Sequence, residues 1–143
     1  MIVKFAQTTD DINKIIELRY RILRKPWEQP KETSTDGLET FSYNAFIEDN
    51  EGKIIACGRL QENANKIGQI RYMAVDEIHQ GKGLGKLILS SLENKAIEIG
   101  LKYISLQARE NALQFYKNSN YQLREKSFKL WDIIQHYLMF KEL

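Results

Sequence analysis

Cysteine is almost missing from this 143-residue chain. Cys57 stands alone, so no intramolecular disulfide can form, and one thiol beside two histidines makes a poor tetrahedral zinc set. A fold held without staples or metal is expected, in a reducing cytoplasm. Long hydrophobic runs are also missing. Pieces such as Lys53-Ile54-Ile55-Ala56-Cys57 fall far below the roughly 20 residues that span a bilayer, so no membrane crossing is expected. Neither sign of charge dominates: 21 Lys and Arg against 19 Asp and Glu leave a net charge of +2. That balance gives no support to phosphate-backbone binding, and hence to nucleic acid as a partner. Met1-Ile2-Val3-Lys4-Phe5 lacks the basic, apolar and small-residue zones of a signal peptide and reads as a first strand.

What is there is ordinary globular chemistry. Hydrophobic residues make up 43% and charged residues 28%, close to soluble proteins in general. At about 150 residues per domain, 1–143 forms a single domain. A chain of this size buries about 68–70% of its unfolded surface.

The order of elements follows from periodicity and punctuation. Thr8-Thr9-Asp10-Asp11 resembles a capping box and opens a helix whose Ile12, Ile15, Ile16, Ile22 and Leu23 share a face until Pro26. Residues 25–40 are polar, hold Pro26 and Pro30, and read as a functional loop with a short helix. Strands are predicted at 41–48, 53–61 and 67–75, joined by turns at 49–52 and 63–66, as an antiparallel meander. After Gly83, the residues Leu84, Leu87, Ile88, Leu92, Ala96 and Ile99 line one helix face, and Gly100 takes the left-handed C-terminal position. A strand at 101–108, a short helix at 110–119 and strands at 121–128 and 134–141 complete the chain. The class is α+β: a mixed, largely antiparallel sheet of about seven strands, with one parallel βαβ unit.

The chemistry concentrates in Met73-Ala74-Val75-Asp76-Glu77-Ile78-His79-Gln80-Gly81-Lys82-Gly83-Leu84-Gly85-Lys86, which joins a strand end to a helix start. A helix N-terminus offers unpaired N–H groups and partial positive charge, and glycines let an anion approach them. Lys82 and Lys86 add charge to that rim. A P-loop would need glycine at 80 and a hydroxyl at 87, where Gln80 and Leu87 stand. The dinucleotide fingerprint would need glycine at 86, where Lys86 stands.

What remains, Gln80-x-x-Gly83-x-Gly85 after a strand ending Met-Ala-Val, resembles the pyrophosphate loop of the GNAT superfamily of acyl-CoA N-acyltransferases. The resemblance continues in Asn111-Ala112-Leu113-Gln114-Phe115-Tyr116, similar to that family's second motif, and the element order matches over nearly the whole chain. Asn120 stands where relatives commonly have Gly, and Asn tolerates the left-handed turn. Gln69 and Arg71 occupy the strand that carries a basic Glu in many relatives, so no general base is assigned.

The resemblance implies acetyl transfer from acetyl-CoA to an amine in a ternary complex, without a metal. Backbone N–H groups of Gln80, Gly81, Lys82, Gly83, Leu84, Gly85 and Lys86 would hold the coenzyme A pyrophosphate. The main chain of Met73, Ala74 and Val75 would pair with pantetheine as an added strand, which requires the parallel strands to separate beyond Val75 and near Gln107. Asn111 would contact pantetheine, and Tyr116 would protonate the departing thiolate. The acceptor would lie between residues 25–40 and 128–133, where Glu28, Glu32, Asp36, Glu39 and Asp132 are placed to hold a cationic amine. Trp27, Trp131 and His136 are further candidates to line that pocket. Cys57 reads as a buried small hydrophobe and His79 as a surface histidine. The resemblance leaves acceptor identity, acyl chain length and the formation of a homodimer open. The alternative function is a non-catalytic acyl-CoA-binding or regulatory module of the same fold.

Overall fold

A computed structural model describes residues 1–143. The elements are β1 (Lys4–Phe5), α1 (Thr9–Arg19), β2 (Tyr43–Glu48), β3 (Ile54–Glu62), β4 (Ile67–Val75), α2 (Leu84–Glu98), β5 (Tyr103–Arg109), α3 (Leu113–Lys117), β6 (Gln122–Leu130) and β7 (Ile134–Glu142). They build one seven-stranded sheet in the order β1-β2-β3-β4-β5-β7-β6. Only β4 and β5 run parallel, joined through α2, and every other pairing is antiparallel. The expected mixed sheet with one βαβ unit is therefore present.

Local chemistry accounts for the element ends. The Thr8 hydroxyl accepts from Asp11 N–H at 3.1 Å, while the Asp11 carboxylate accepts from Gln7 N–H at 3.0 Å, one residue earlier than a capping box would place it. The helix runs past Arg19 as a π-helical turn, Tyr20–Arg24, with Lys25 N–H donating to the Tyr20 carbonyl. Such turns re-aim side chains and often mark functional segments. Residues 25–42 make three 3₁₀ turns, Lys25–Trp27, Lys31–Ser34 and Glu39–Phe41. The last of these delays β2 to Tyr43. Leu130-Trp131-Asp132-Ile133 closes the final hairpin, with positive φ at Trp131 and Asp132 and Ile133 N–H bonded to the Leu130 carbonyl at 3.0 Å. That primed turn matches the twist of the strands it joins.

Both faces of the sheet are covered. The larger core gathers Leu84, Ile88, Leu89, Leu92 and Ala96 of α2 against alternate strand residues such as Ala45, Ile47, Ile55, Ile104 and Leu106. Leu89 takes the inward place expected for Leu87, which is exposed because the helix face is centred a few tens of degrees away. On the opposite face, Ile15 and Leu18 of α1 pack on Phe46, Ile54, Cys57 and Ala74. Covered on both sides, β3 is buried from Ile54 to Leu60 and reads as a continuous run rather than an alternation.

One irregularity decides the shape of the molecule. The β3–β4 register steps from Cys57↔Ala74 to Arg59↔Arg71, so Tyr72 and Met73 together oppose Gly58. Tyr72 sits at φ +57°, a conformation costing about 1–3 kcal/mol for a bulky residue. The bulge bends β4 away from β5, whose ladder ends at Ile70↔Leu106. The expected separation is real, but it begins well before Val75.

Gly58 makes the bulge possible. A Cβ there would collide with Met73 Sδ and lie 2.7 Å from Ile88 Cγ2. Gly58→Ala should therefore lower stability by about 1–3 kcal/mol in urea unfolding, as overpacking does. Unchanged stability would show that Met73 can vacate the space freely.

Candidate functional site

Helix α2 begins at a residue that cannot cap it. Gly83 is its N-cap at φ +81°, in the left-handed region, and supplies no side-chain acceptor. Helices usually place Ser, Thr, Asp or Asn there to satisfy the first amides. Here the N–H groups of Gly81, Lys82, Gly83, Leu84, Gly85 and Lys86 make no hydrogen bond within the chain, and the first helical bond at this end is Leu87 N–H to the Gly83 carbonyl at 3.1 Å. All of these residues except Lys82 border a cavity of about 410 Å³ walled by Val75, His79, Gln80, Phe115, Asn118 and Ser119. A row of free amides at the positive end of a helix is chemically suited to an anion.

That cavity adjoins a larger cleft of about 720 Å³ lying in the gap between β4 and β5. Asp76 N–H donates to the Ile55 carbonyl at 2.8 Å, so by strand alternation Ala74 turns its amide toward β3 while Met73 and Val75 face the gap. The Val75 carbonyl already accepts from Gln80 Nε2 at 3.0 Å, which ties the loop back to the strand. Past Ile70, these groups have no strand partner on the β5 side. An extended polar ligand is thereby offered a ladder edge leading into the anion site.

Across the gap stand Gln107, Arg109, Asn111, Phe115 and Tyr116. Tyr116 is 7% exposed and packs edge-on against Phe115, with ring centroids 4.9 Å apart. Burial raises its pKa above the ordinary phenol value, so the hydroxyl keeps its proton at neutral pH. Gln107 Oε1 is buried without a partner. Cys57, 1% exposed under α1, has its thiol pushed up to about 11 by burial and does not reach the cleft.

Five arginines gather around Tyr72. Arg19, Arg24, Arg59 and Arg71 lie over its ring at 4.3, 5.7, 5.0 and 4.7 Å from the centroid, and Arg109 reaches the same region to bond the Leu23 carbonyl at 3.1 Å. Arg59, 0% exposed, makes a bidentate pair with Asp36 at 2.7 and 2.7 Å and reaches Glu39 at 3.0 Å. Arg19 pairs with Glu39 at 2.7 Å. Arg71 shares Asp36 at 2.8 Å.

Two acidic residues expected to hold a cationic amine are therefore already taken. Asp36 and Glu39 neutralise arginines beside and behind Tyr72, and neither they nor Glu28, Glu32 and Asp132 line the cleft. Loop sequence gives acidity but not orientation, and buried guanidinium groups drew the carboxylates inward. Trp27 and His136 do line the cleft; Trp131 lies 5.2 Å from Arg24 beside it. His136 stacks on Phe128 at 4.6 Å, and burial lowers its pKa. The cleft arginines Arg24 and Arg109 were not singled out from the sequence, because neither belongs to a motif. Their only signal is spacing: Arg24 ends the first helix, and Arg109 ends the strand that parts from β4.

A sheet split by a bulge, with a row of free amides at the head of the crossover helix, frames one continuous cleft. Similarity supplies the family. The profile of the Acetyltransferase (GNAT) family matches residues 12–121, and the chain belongs to that family. The uncharacterized N-acetyltransferase YjcF of Bacillus subtilis is 29% identical over 124 residues, covering 86% of this chain and 87% of that protein. Among solved structures, Escherichia coli ElaA superposes with a TM-score of 0.84 at 15% identity, over 99% of this chain and 100% of its own. An aminoglycoside 6'-N-acetyltransferase complexed with coenzyme A gives 0.81 at 12%, over 99% and 97%. No helix is long and apolar enough to cross a membrane. No group of three or more His, Cys, Asp or Glu side chains is placed to hold a metal ion.

The Asp36–Arg59 pair gives a pH test. Hydrogen bonds from Arg59 hold the Asp36 carboxyl well below the usual carboxylate range. A carboxyl depressed in the folded state adds stability above its ordinary value of about 3.9, and loses it as pH falls toward the folded value. Asp36→Asn should cost about 1–3 kcal/mol at neutral pH by removing the bidentate partner of a buried guanidinium that keeps Glu39. Its thermal midpoint should then decline less steeply than the wild type's as pH drops below about 4. Parallel declines would remove Asp36 from the acid transition.

Proposed function

We propose that this protein transfers an acetyl group from acetyl-CoA to an amine, directly and within one ternary complex. The carrying observation is the row of unpartnered amides from Gly81 to Lys86 at the uncapped start of α2, continuous with the open edge of β4. Supporting it are membership of the GNAT family and a fold neighbour complexed with coenzyme A.

In this reading the amides of 81–86 take the pyrophosphate, with Lys82 and Lys86 adding charge at the rim. Met73 and Val75 pair with the pantetheine arm as a strand would, and Asn111 contacts it from the opposite wall. The reaction needs no covalent enzyme intermediate. The amine lone pair attacks the thioester carbonyl carbon, the carbonyl oxygen takes up negative charge, and its collapse breaks the C–S bond. Tyr116 gives its proton to the leaving thiolate, the new ammonium loses one to solvent, and the Tyr116 phenolate takes one back from solvent to close the cycle. Burial makes Tyr116 a weaker acid than an ordinary phenol, so the assignment rests on its hydroxyl standing in the wall of the cleft and not on its pKa.

The missing strand Glu does not by itself defeat the reading. Guanidinium groups near the acceptor disfavour an ammonium there and raise the share of neutral amine. A cleft that binds acyl-CoA without turnover is the competing reading, favoured by Gln69 and Arg71 in place of that Glu.

Thiol release with acetyl-CoA and an amine panel separates the two: amine-dependent release supports the enzyme, and binding without release supports the module. For the cofactor site, Gly85→Val places a side chain against Phe115, whose ring lies 3.3 Å from a Cβ at that position. Acetyl-CoA affinity should fall at least about tenfold. In Lys82→Gln/Lys86→Gln, which leaves the loop backbone alone, the salt dependence of binding should flatten. Unchanged affinity and salt slope in folded variants would reject the assignment.

Tyr116→Phe removes only the hydroxyl. Turnover should drop about 10²–10⁴-fold at nearly constant acetyl-CoA affinity if Tyr116 is the acid. Full activity would assign thiolate protonation to water.

A further inference from the structure

We infer that the acceptor is an amine that also carries a carboxylate, and that Arg24, Arg71 and Arg109 receive this carboxylate in the cleft. The inference rests on the acetyl-transfer reading and adds the acceptor's charge. Its basis is an imbalance in the wall: the residues lining the large cleft include these three arginines and no Asp or Glu.

The imbalance is not relieved from behind. Asp36 and Glu39 are the only carboxylates bonded to the arginine cluster, and Arg19 and Arg59 hold both. Arg71 has only a share of Asp36. Arg24 donates to the carbonyls of Thr33 at 3.1 Å and Leu23 at 3.2 Å, and Arg109 donates to the same Leu23 carbonyl at 3.1 Å. Two guanidinium groups thus sit side by side on one carbonyl oxygen, with no anion between them.

Burial and Arg24's charge pull Arg109 down to about 10, the expected response of a cation short of counter-charge. Arg109 Nε and Nη1 bond to nothing in the chain and are not fully buried, so they keep donors for a ligand. Like charges gathered at low dielectric are costly unless an anion joins them. Planar guanidinium forks match a carboxylate in two-point contact. A polycationic amine would meet the same field as repulsion.

The test compares amino acids with their carboxamides and with diamines of equal length, by kcat/KM in the thiol-release assay. Acids should be preferred at least about tenfold, and Arg109→Gln or Arg24→Gln should shrink the acid-to-amide ratio about 10–100-fold, as loss of a charge-assisted hydrogen bond does. Thermal melting checks that the variants fold.

A second arm does not need turnover. In the CoA-loaded protein, N-acetyl amino acids should raise the melting temperature more than their carboxamides, and Arg109→Gln should abolish the difference. Failure of every amine to release thiol would sink the enzyme reading while this arm still decides the charge preference. Equal use or stabilisation by acid and amide, preference for diamines or for an aminoalkylphosphonate, or loss of CoA affinity instead of acid preference in the arginine variants would overturn the proposal.

Discussion

The ladder between β4 and β5 stops at Ile70↔Leu106 because Tyr72 and Met73 crowd into the space opposite one glycine, and the cleft exists because the ladder stops. Continued pairing would bury the β4 edge between strands and leave nothing for a ligand to join. The bulge places Tyr72 at positive φ, a strain of about 1–3 kcal/mol that the surroundings must hold. Gly58 supplies room on one side, and guanidinium groups over the Tyr72 ring supply attraction on the other.

Each half of the site uses a different kind of charge. Toward α2 the positive end is made of backbone: a helix whose N-cap has no side chain presents its first amides to whatever enters. Toward α1 the positive charge is made of side chains, five arginines against Asp36 and Glu39. Because the N-cap is a glycine, no side chain there can satisfy those amides, and that half is fixed once the loop is built. The arginine half depends on how the 25–42 segment folds, since Asp36 and Glu39 come from it. The π-helical turn at Tyr20–Arg24 matters for the same reason: it separates Arg19, turned toward Glu39, from Arg24, turned toward the cleft.

Tyr116 and Arg109 stand on opposite sides of a small 3₁₀ turn, Glu110–Ala112, where β5 leaves the sheet and α3 begins. That turn presents one neutral donor and one cationic donor to the same cleft. A buried neutral phenol and a guanidinium short of an anion are suited to different partners, a hydrogen-bond acceptor and an anion respectively.

Strand and helix positions were legible because each is a local pattern. The strand at 67–75 bounded by turn residues, the 3.6-residue period after Gly83 and the turn residues at 49–52 are set by neighbours within a few residues, and the glycine loop could be distinguished from other phosphate motifs by spacing alone. Left-handed backbone at Gly100 and Asn120 was likewise readable. Three features were not. The early parting of β4 and β5 arises from a register step between strands, which depends on what Met73 meets across Gly58 and not on β4's own sequence. The fate of Asp36 and Glu39 was decided by Arg19 and Arg59, which lie 20–23 residues from the carboxylates they bond. The positive wall of the cleft was hidden because Arg24, Arg71 and Arg109 come from three separate elements. The sequence by itself determined the elements and the anion loop, whose donors are local backbone; the cleft and its charge were decided only when distant side chains met at low dielectric, where unpaired charge is costly.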